Sequence, residues 1–267
     1  MIRMRYRALL LAAVLLPGAL LAQRGRRRSG APADWQGYVQ SGDLADIANP
    51  PYDGRFTFLR VRFEPLGSNE GFGWRVDRKW DHDTPRAEIH FMKILSELTT
   101  IQPFMRGGTI LSFEDKDLFK YPIAYVSEPG FWTMNAKELA GVQAYVKKGG
   151  FLIFDDFAGE HWYNFERRWH EAFPELKLVQ LEASHPIFDA FFRIENLDFQ
   201  HPYFGIKSEF WGAYEDNDPK KRLVAIANFN NDIGDYMEFS DEGWLPIALT
   251  NEAYKLAVNY IVYGMTH

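Results

Sequence analysis

Lys147-Lys148-Gly149-Gly150-Phe151-Leu152-Ile153-Phe154-Asp155-Asp156 decides the fold. Upstream, Asn135 with Glu138 three residues later forms a helix cap, and Leu139, Val142 and Val146 recur on one face of the helix that follows. The glycine pair ends that helix. Phe151 to Phe154 is then apolar without alternation, the pattern of a central parallel strand covered on both faces. Two carboxylates stand where the strand stops. In open α/β sheets ligands sit in the crevice beyond the carboxyl ends of the strands, so Asp155 and Asp156 occupy the position where such folds work.

Working outward, Phe56 to Phe63 is rich in β-formers and reads as the first strand, ending at Glu64-Pro65. A glycine-containing loop from Leu66 to Asp83 follows, closing on Trp80 and the triplet Asp81-His82-Asp83. Thr84-Pro85 predicts a cap with proline at the first helical position, and Ile89, Met92 and Leu95 give that helix its apolar face as far as Thr99. Thr109 to Phe113 and Tyr121 to Ser127 read as strands, the second running into the turn Glu128-Pro129-Gly130. Beyond the paired aspartates, Trp162, Phe165, Trp169 and Phe173 lie at helical spacing up to Pro174. Leu176 to Leu181, Ile206 to Tyr214 and Arg222 to Phe229 read as further strands, the last two forming an additional β segment near the C-terminus. A final helix carries Tyr254, Ala257, Val258, Ile261 and Val262 on one stripe. The whole is an α/β pattern with a mainly parallel central sheet.

The chain has 267 residues, 46% of them hydrophobic and 16% aromatic, enough to bury a sizeable core. Arg3, Arg5 and Arg7, the apolar run Ala8 to Leu16, and Pro17-Gly18 before Ala22 read as a signal peptide over 1–22. Leu20 sits where a cleavage site prefers a small residue, so an uncleaved anchor is the alternative and the only membrane contact expected. Residues 23–50, with Arg24, Arg26, Arg27 and Arg28 among small residues, read as a flexible linker to a single domain over 51–267. The expected location is periplasmic or extracellular. Net charge is −6, and basic residues cluster only near the leader, which argues against a nucleic-acid partner. With no cysteine the chain has neither disulfide, thiolate nucleophile nor cysteine metal site.

Three groups of residues offer chemistry. Asp155, Asp156, Glu160 and His161 fall within seven residues at a strand-to-helix junction, with Glu128 ending another strand on the same crevice. Neighbouring carboxylates split their pKa values or bind a hard cation, and a nearby histidine serves as base or ligand. The bland alternative has one aspartate capping the next helix and the other solvated. His82, with Asp81 and Asp83, offers metal-ligand types, although adjacent residues seldom face one ion and Asp83-Thr84-Pro85 also suits a helix start. Trp211, Glu215, Asn230 and Asp232 lie in loops where aromatics, carboxamides and carboxylates interleave, suited to a polar ligand, yet tight turns explain them equally. An EF-hand frame starting at Asn228 puts Ile233 at its sixth position and Phe239 at its twelfth, so that loop is excluded. No phosphate-binding glycine loop, serine elbow or His-Glu-x-x-His motif is present.

The Gly-Gly strand ending in Asp155-Asp156, His185-Pro186-Ile187-Phe188, Asn230 to Tyr236 and the tail Asn251 to Tyr260 together resemble the bacterial domain-of-unknown-function family numbered 4159, from about Phe56 onward. That family is placed with class I glutamine amidotransferase-like folds. The Gly-Gly strand and the later His-Pro turn are also similar to the trehalose-utilisation-type branch of that superfamily. The resemblance implies a flavodoxin-like three-layer sandwich. The amidotransferases carry a nucleophilic cysteine on the elbow after a central strand; Asp155, Asp156 and Phe157 stand there in this chain, which excludes glutaminase chemistry. Fold does not imply function. The leading expectation is an exported, non-catalytic domain binding a small polar ligand or an envelope protein, with no resident cofactor. The alternative is a hydrolase using Asp155, Asp156 and His161, with a divalent metal on Asp155, Asp156, His161 or His82.

Overall fold

The computed structural model describes residues 49–67 and 77–267. The expected signal segment, nearly all of the 23–50 linker and residues 68–76 of the glycine-containing loop lie outside the described residues. Seven strands form one sheet: β1 (Phe56–Val61), β2 (Pro103–Leu111), β3 (Ile123–Ser127), β4 (Phe151–Phe157), β5 (Val179–Gln180), β6 (Glu209–Tyr214) and β7 (Leu223–Phe229). Their order is β2-β1-β3-β4-β7-β6-β5. The pairs from β2 through β7 run parallel, and β6 and β5 add an antiparallel edge. Five α-helices are described: α1 (Arg86–Leu98), α2 (Ala136–Lys147), α3 (His161–Ala172), α4 (Ile233–Glu238) and α5 (Ile247–Thr266). None is long and apolar enough to cross a membrane.

β4 shows why its sequence is apolar throughout. Phe151 and Ile153 pack in one cluster with residues of α1, α4 and α5, while Leu152 and Phe154 pack in another with residues of α2 and α3. All four are at most 4% exposed. Each contributes about 1.5–3 kcal/mol of burial. The neighbouring strands alternate in the same way: Phe58 and Tyr125 join the first cluster, Leu59 and Val126 the second. At α2 the capping box is complete, with Asn135 Oδ1 accepting from the Lys137 and Glu138 amides and Glu138 accepting from the Asn135 amide. Gly149 takes a left-handed φ of 102°, and a Cβ on Gly150 would lie 2.4 Å from the Tyr145 ring. The helix therefore turns straight into β4.

Four elements differ from expectation. β2 starts at Pro103 rather than Thr109, because Gly107 and Gly108, which break a strand pattern, lie inside it. Gly107 has φ of 110°, and a Cβ on Gly108 would meet the Phe58 carbonyl oxygen at 2.7 Å. β5 shrinks to two exposed residues, since Leu176 and Leu178 pack onto the core from a loop. α1 begins after Pro85, which holds the capping position with no side-chain bond. Residues 233–238, which follow the Asn-Asn-Asp turn and carry no predicted element, form α4, whose Asp235 amide is met by the Asp232 side chain.

Candidate functional site

The two aspartates of β4 have separate partners. Asp155 is fully buried and accepts from the Tyr125 hydroxyl at 2.7 Å, Asn228 Nδ2 at 2.9 Å and the Gly234 amide at 3.0 Å. Asn228 Oδ1 in turn accepts from the Tyr260 hydroxyl at 2.8 Å. Burial raises the pKa of Asp155 against the pull of these donors. This carboxylate ties β3, β4, β7, α4 and α5 together. Asp156 has left-handed backbone and meets Ser127 Oγ at 3.4 Å and His82 Nδ1 at 3.6 Å. Neither aspartate caps α3, whose capping position belongs to Glu160 without a side-chain bond.

His82 arrives from the β1–α1 connection. Its Nε2 lies 2.9 Å from Asp77, and its Nδ1 lies 3.2 Å from Glu128, which directly follows β3. Lys79 pairs with both Asp77 and Glu128 and stands over the Phe131 ring. Burial opposes the charged form of His82, but hydrogen bonds to Asp156, Asp77 and Glu128 prevail and lift its pKa well above 6.5. Burial and the nearby Glu128 charge push Asp156 up to about 7. The hydrogen bond from His82 holds Asp77 well below the usual carboxylate range.

Behind Asp156 the carboxylates crowd further. Asp83 is nine-tenths buried and its Oδ2 has no hydrogen-bond partner among the described residues. Burial, Asp235, Asp156 and Glu238 all raise its pKa. Asp232 is buried and accepts from the Asp235 amide at 2.8 Å through Oδ1, and burial, Asp156, Asp235 and Asp83 raise its pKa well above 3.8. Burial and Asp235 push Glu238 up to about 8. The approach is close enough that a Cβ on Gly234 would sit 2.2 Å from Asp83 Oδ2.

Ligand atoms fall within 4.8 Å of one another in three overlapping groups: His82, Glu128 and Asp156; Asp83, Asp156 and Asp232; Asp83, Asp235 and Glu238. The residues come from the carboxyl ends of β1, β3, β4 and β7, around the point where strand order reverses at β1. Among the described residues seven non-glycines have left-handed backbone, and five of them, Lys79, Asp83, Glu128, Asp156 and Asn230, lie in or beside this site. Such conformations persist where the surroundings over-determine them, and they concentrate at functional positions.

Of the residues singled out from sequence, Glu128, Asp156, His82 and Asp232 converge, with Asp155 bonded beneath them. His161 stands at the rim, half-exposed, its Nδ1 4.0 Å from Glu128 and its ring against Phe131. Glu160 is exposed. Asn230 accepts from the Gly159 amide, holding the β7 end against the β4–α3 turn. Trp211 packs on Trp162 and donates to Glu209, and Glu215 pairs with Arg222; neither joins the three groups. Asp77, Asp235 and Glu238 have no site assignment from sequence. Asp83 is offered there with His82 as a metal-ligand type, with a helix start as the alternative. Asp235 and Glu238 share a face only because 233–238 is helical, and nothing local signals that helix.

A mixed imidazole and carboxylate set suits Zn²⁺ or a transition-metal ion such as Mn²⁺, and an all-oxygen set suits harder cations. A search of curated proteins finds no match. The family model for Domain of unknown function (DUF4159) matches residues 58–265, and the chain belongs to that family.

Proposed function

We propose that this chain is an exported, non-catalytic α/β domain that holds a divalent cation between His82, Glu128 and Asp156 and uses it to bind an oxygen-rich polar ligand. One observation carries the reading. His82 Nε2 lies 2.9 Å from Asp77, while its Nδ1 faces the carboxylates of Glu128 and Asp156 at 3.2 and 3.6 Å. A lone pair and two anions at that range repel unless a proton or a cation lies between them. A carboxylate orienting a ligating histidine through its other nitrogen is the usual support of a metal site. The polar ligand is favoured over an envelope protein because Glu128 and Asp156 are recessed, with side chains 11% and 15% exposed.

Export is supported by the leader pattern of residues 1–22. A flavodoxin-like sandwich is supported by the order of the parallel strands, which corresponds to 2-1-3-4-5 once β7 is counted as the fifth. Kinship with amidotransferase-like folds extends to architecture alone, because no cysteine is available as nucleophile. A second reading, hydrolysis by a cation-bound water, is favoured by Asp156, whose carboxylate lacks a hydrogen bond shorter than 3.4 Å among the described residues and so stands free to take a proton.

The test is direct. Chelator-stripped protein dialysed against micromolar Zn²⁺ or Mn²⁺ should retain metal, and His82→Gln should weaken retention at least tenfold. Retention of no metal, or retention indifferent to His82, would refute the cation site. Turnover of ester, phosphoester or glycoside substrates by the metal-loaded protein, lost in Asp156→Asn, would replace the binding reading with the hydrolytic one.

A further inference from the structure

We propose that a second divalent cation binds deeper in the same site, held by Asp83, Asp156 and Asp232, with the Asp156 carboxylate shared between the two ions. The inference rests on the cation reading at His82, but a different observation carries it. Asp83 is nine-tenths buried and its Oδ2 has no donor among the described residues, although a carboxylate oxygen out of water ordinarily finds one. Gly234 packs directly against this oxygen, where a Cβ would lie 2.2 Å away. Asp232 accepts from the Asp235 amide through Oδ1, and the ligand atoms of Asp83, Asp156 and Asp232 lie within 4.8 Å of one another.

Charge points the same way. Glu128, Asp156, Asp83, Asp232, Asp235 and Glu238 make up the three groups with His82, so full ionisation leaves an excess of negative charge that divalent cations would offset. The donors divide accordingly: the outer ion has one imidazole and two carboxylates, while the inner one has oxygen alone, the set preferred by Mg²⁺, Ca²⁺ and Mn²⁺. Asp156 belongs to both groups, and shared carboxylates are how two-metal sites keep their ions about 3.5–4 Å apart.

Mn²⁺ tests this, since it suits both donor sets and two close Mn²⁺ ions give an exchange-coupled paramagnetic resonance spectrum. Stripped full-length protein should bind two Mn²⁺ per chain and show that coupling. Asp83→Asn should bind one and give the spectrum of an isolated ion. Asp232→Asn should do the same while keeping its helix cap, since asparagine caps as well as aspartate. Circular dichroism would establish that both variants are folded. If wild type binds one Mn²⁺ and neither substitution changes the count, the second ion is refuted and the His82 site stands. If wild type binds none, both proposals fall.

Discussion

Replacing Asp156 with asparagine should make the metal-free protein more stable at pH 8. Asparagine is nearly isosteric and tolerates the left-handed backbone, φ 62°, that Asp156 adopts. In the fold, burial and Glu128 raise the carboxyl pKa from 3.8 to about 7. At about 1.4 kcal/mol per pH unit the rise costs up to ~4 kcal/mol when the group ionises, and ~2–4 kcal/mol is the expected range. The folded state binds more protons than the unfolded one, so this stability declines from about pH 4 and is fully lost above about pH 7. His82, raised above 6.5, loses stability in the same direction as it deprotonates. His185 and His201, lowered to about 4 chiefly by burial, act oppositely between pH 4 and 6.5, but equally in both proteins. Urea denaturation in chelator at pH 5, 6.5 and 8 should therefore give a difference favouring the variant that grows with pH. Divalent cation at 1,000 times its Kd should reverse the order, since it adds about 4.1 kcal/mol to the protein that binds it. A variant less stable than wild type at pH 8 in chelator would refute the reasoning, because Asp156 would then be making net favourable contacts.

Gly234→Ala should cost about 1–3 kcal/mol by overpacking, because the new methyl would lie 2.2 Å from Asp83 Oδ2 and 3.0 Å from the Tyr125 hydroxyl. Thermal melts read that cost, and metal retention should fall with it as α4 is pushed from Asp83; an unaltered melt would show that the helix gives way freely. Arg60→Met should cost about 3–5 kcal/mol, since Arg60 and Glu88 form a 2.6 Å ion pair with side chains 1% and 2% exposed, and removing one partner strands the other. Adding Glu88→Leu should recover most of that loss in urea denaturation, and failure of the double variant to recover it would mean that Arg60 acts through Trp80 or Tyr125 instead.

Local patterns determined a good part of this molecule. The cap at Asn135, the glycine pair after α2 and the unbroken apolar run of β4 each depend on residues a few positions apart, so the β-α-β frame and the acidic strand end are legible in the sequence itself. Aspartates in the last residues of a buried strand, a glutamate after a second strand and a histidine in the loop after a third belong to the same crevice by topology alone. Tertiary structure decided the rest. Which of Asp155 and Asp156 faces the crevice depends on Tyr125, Asn228 and the Gly234 amide, contributed by segments 30 to 79 residues away. α4 is six residues long, too short to show a helical period, yet it brings Asp232, Asp235 and Glu238 to Asp83 across more than a hundred positions of chain. Carboxylates repel, so no local preference assembles such a group. It is held by the burial and hydrogen bonding of the elements beneath it, and those act only once the sheet is formed.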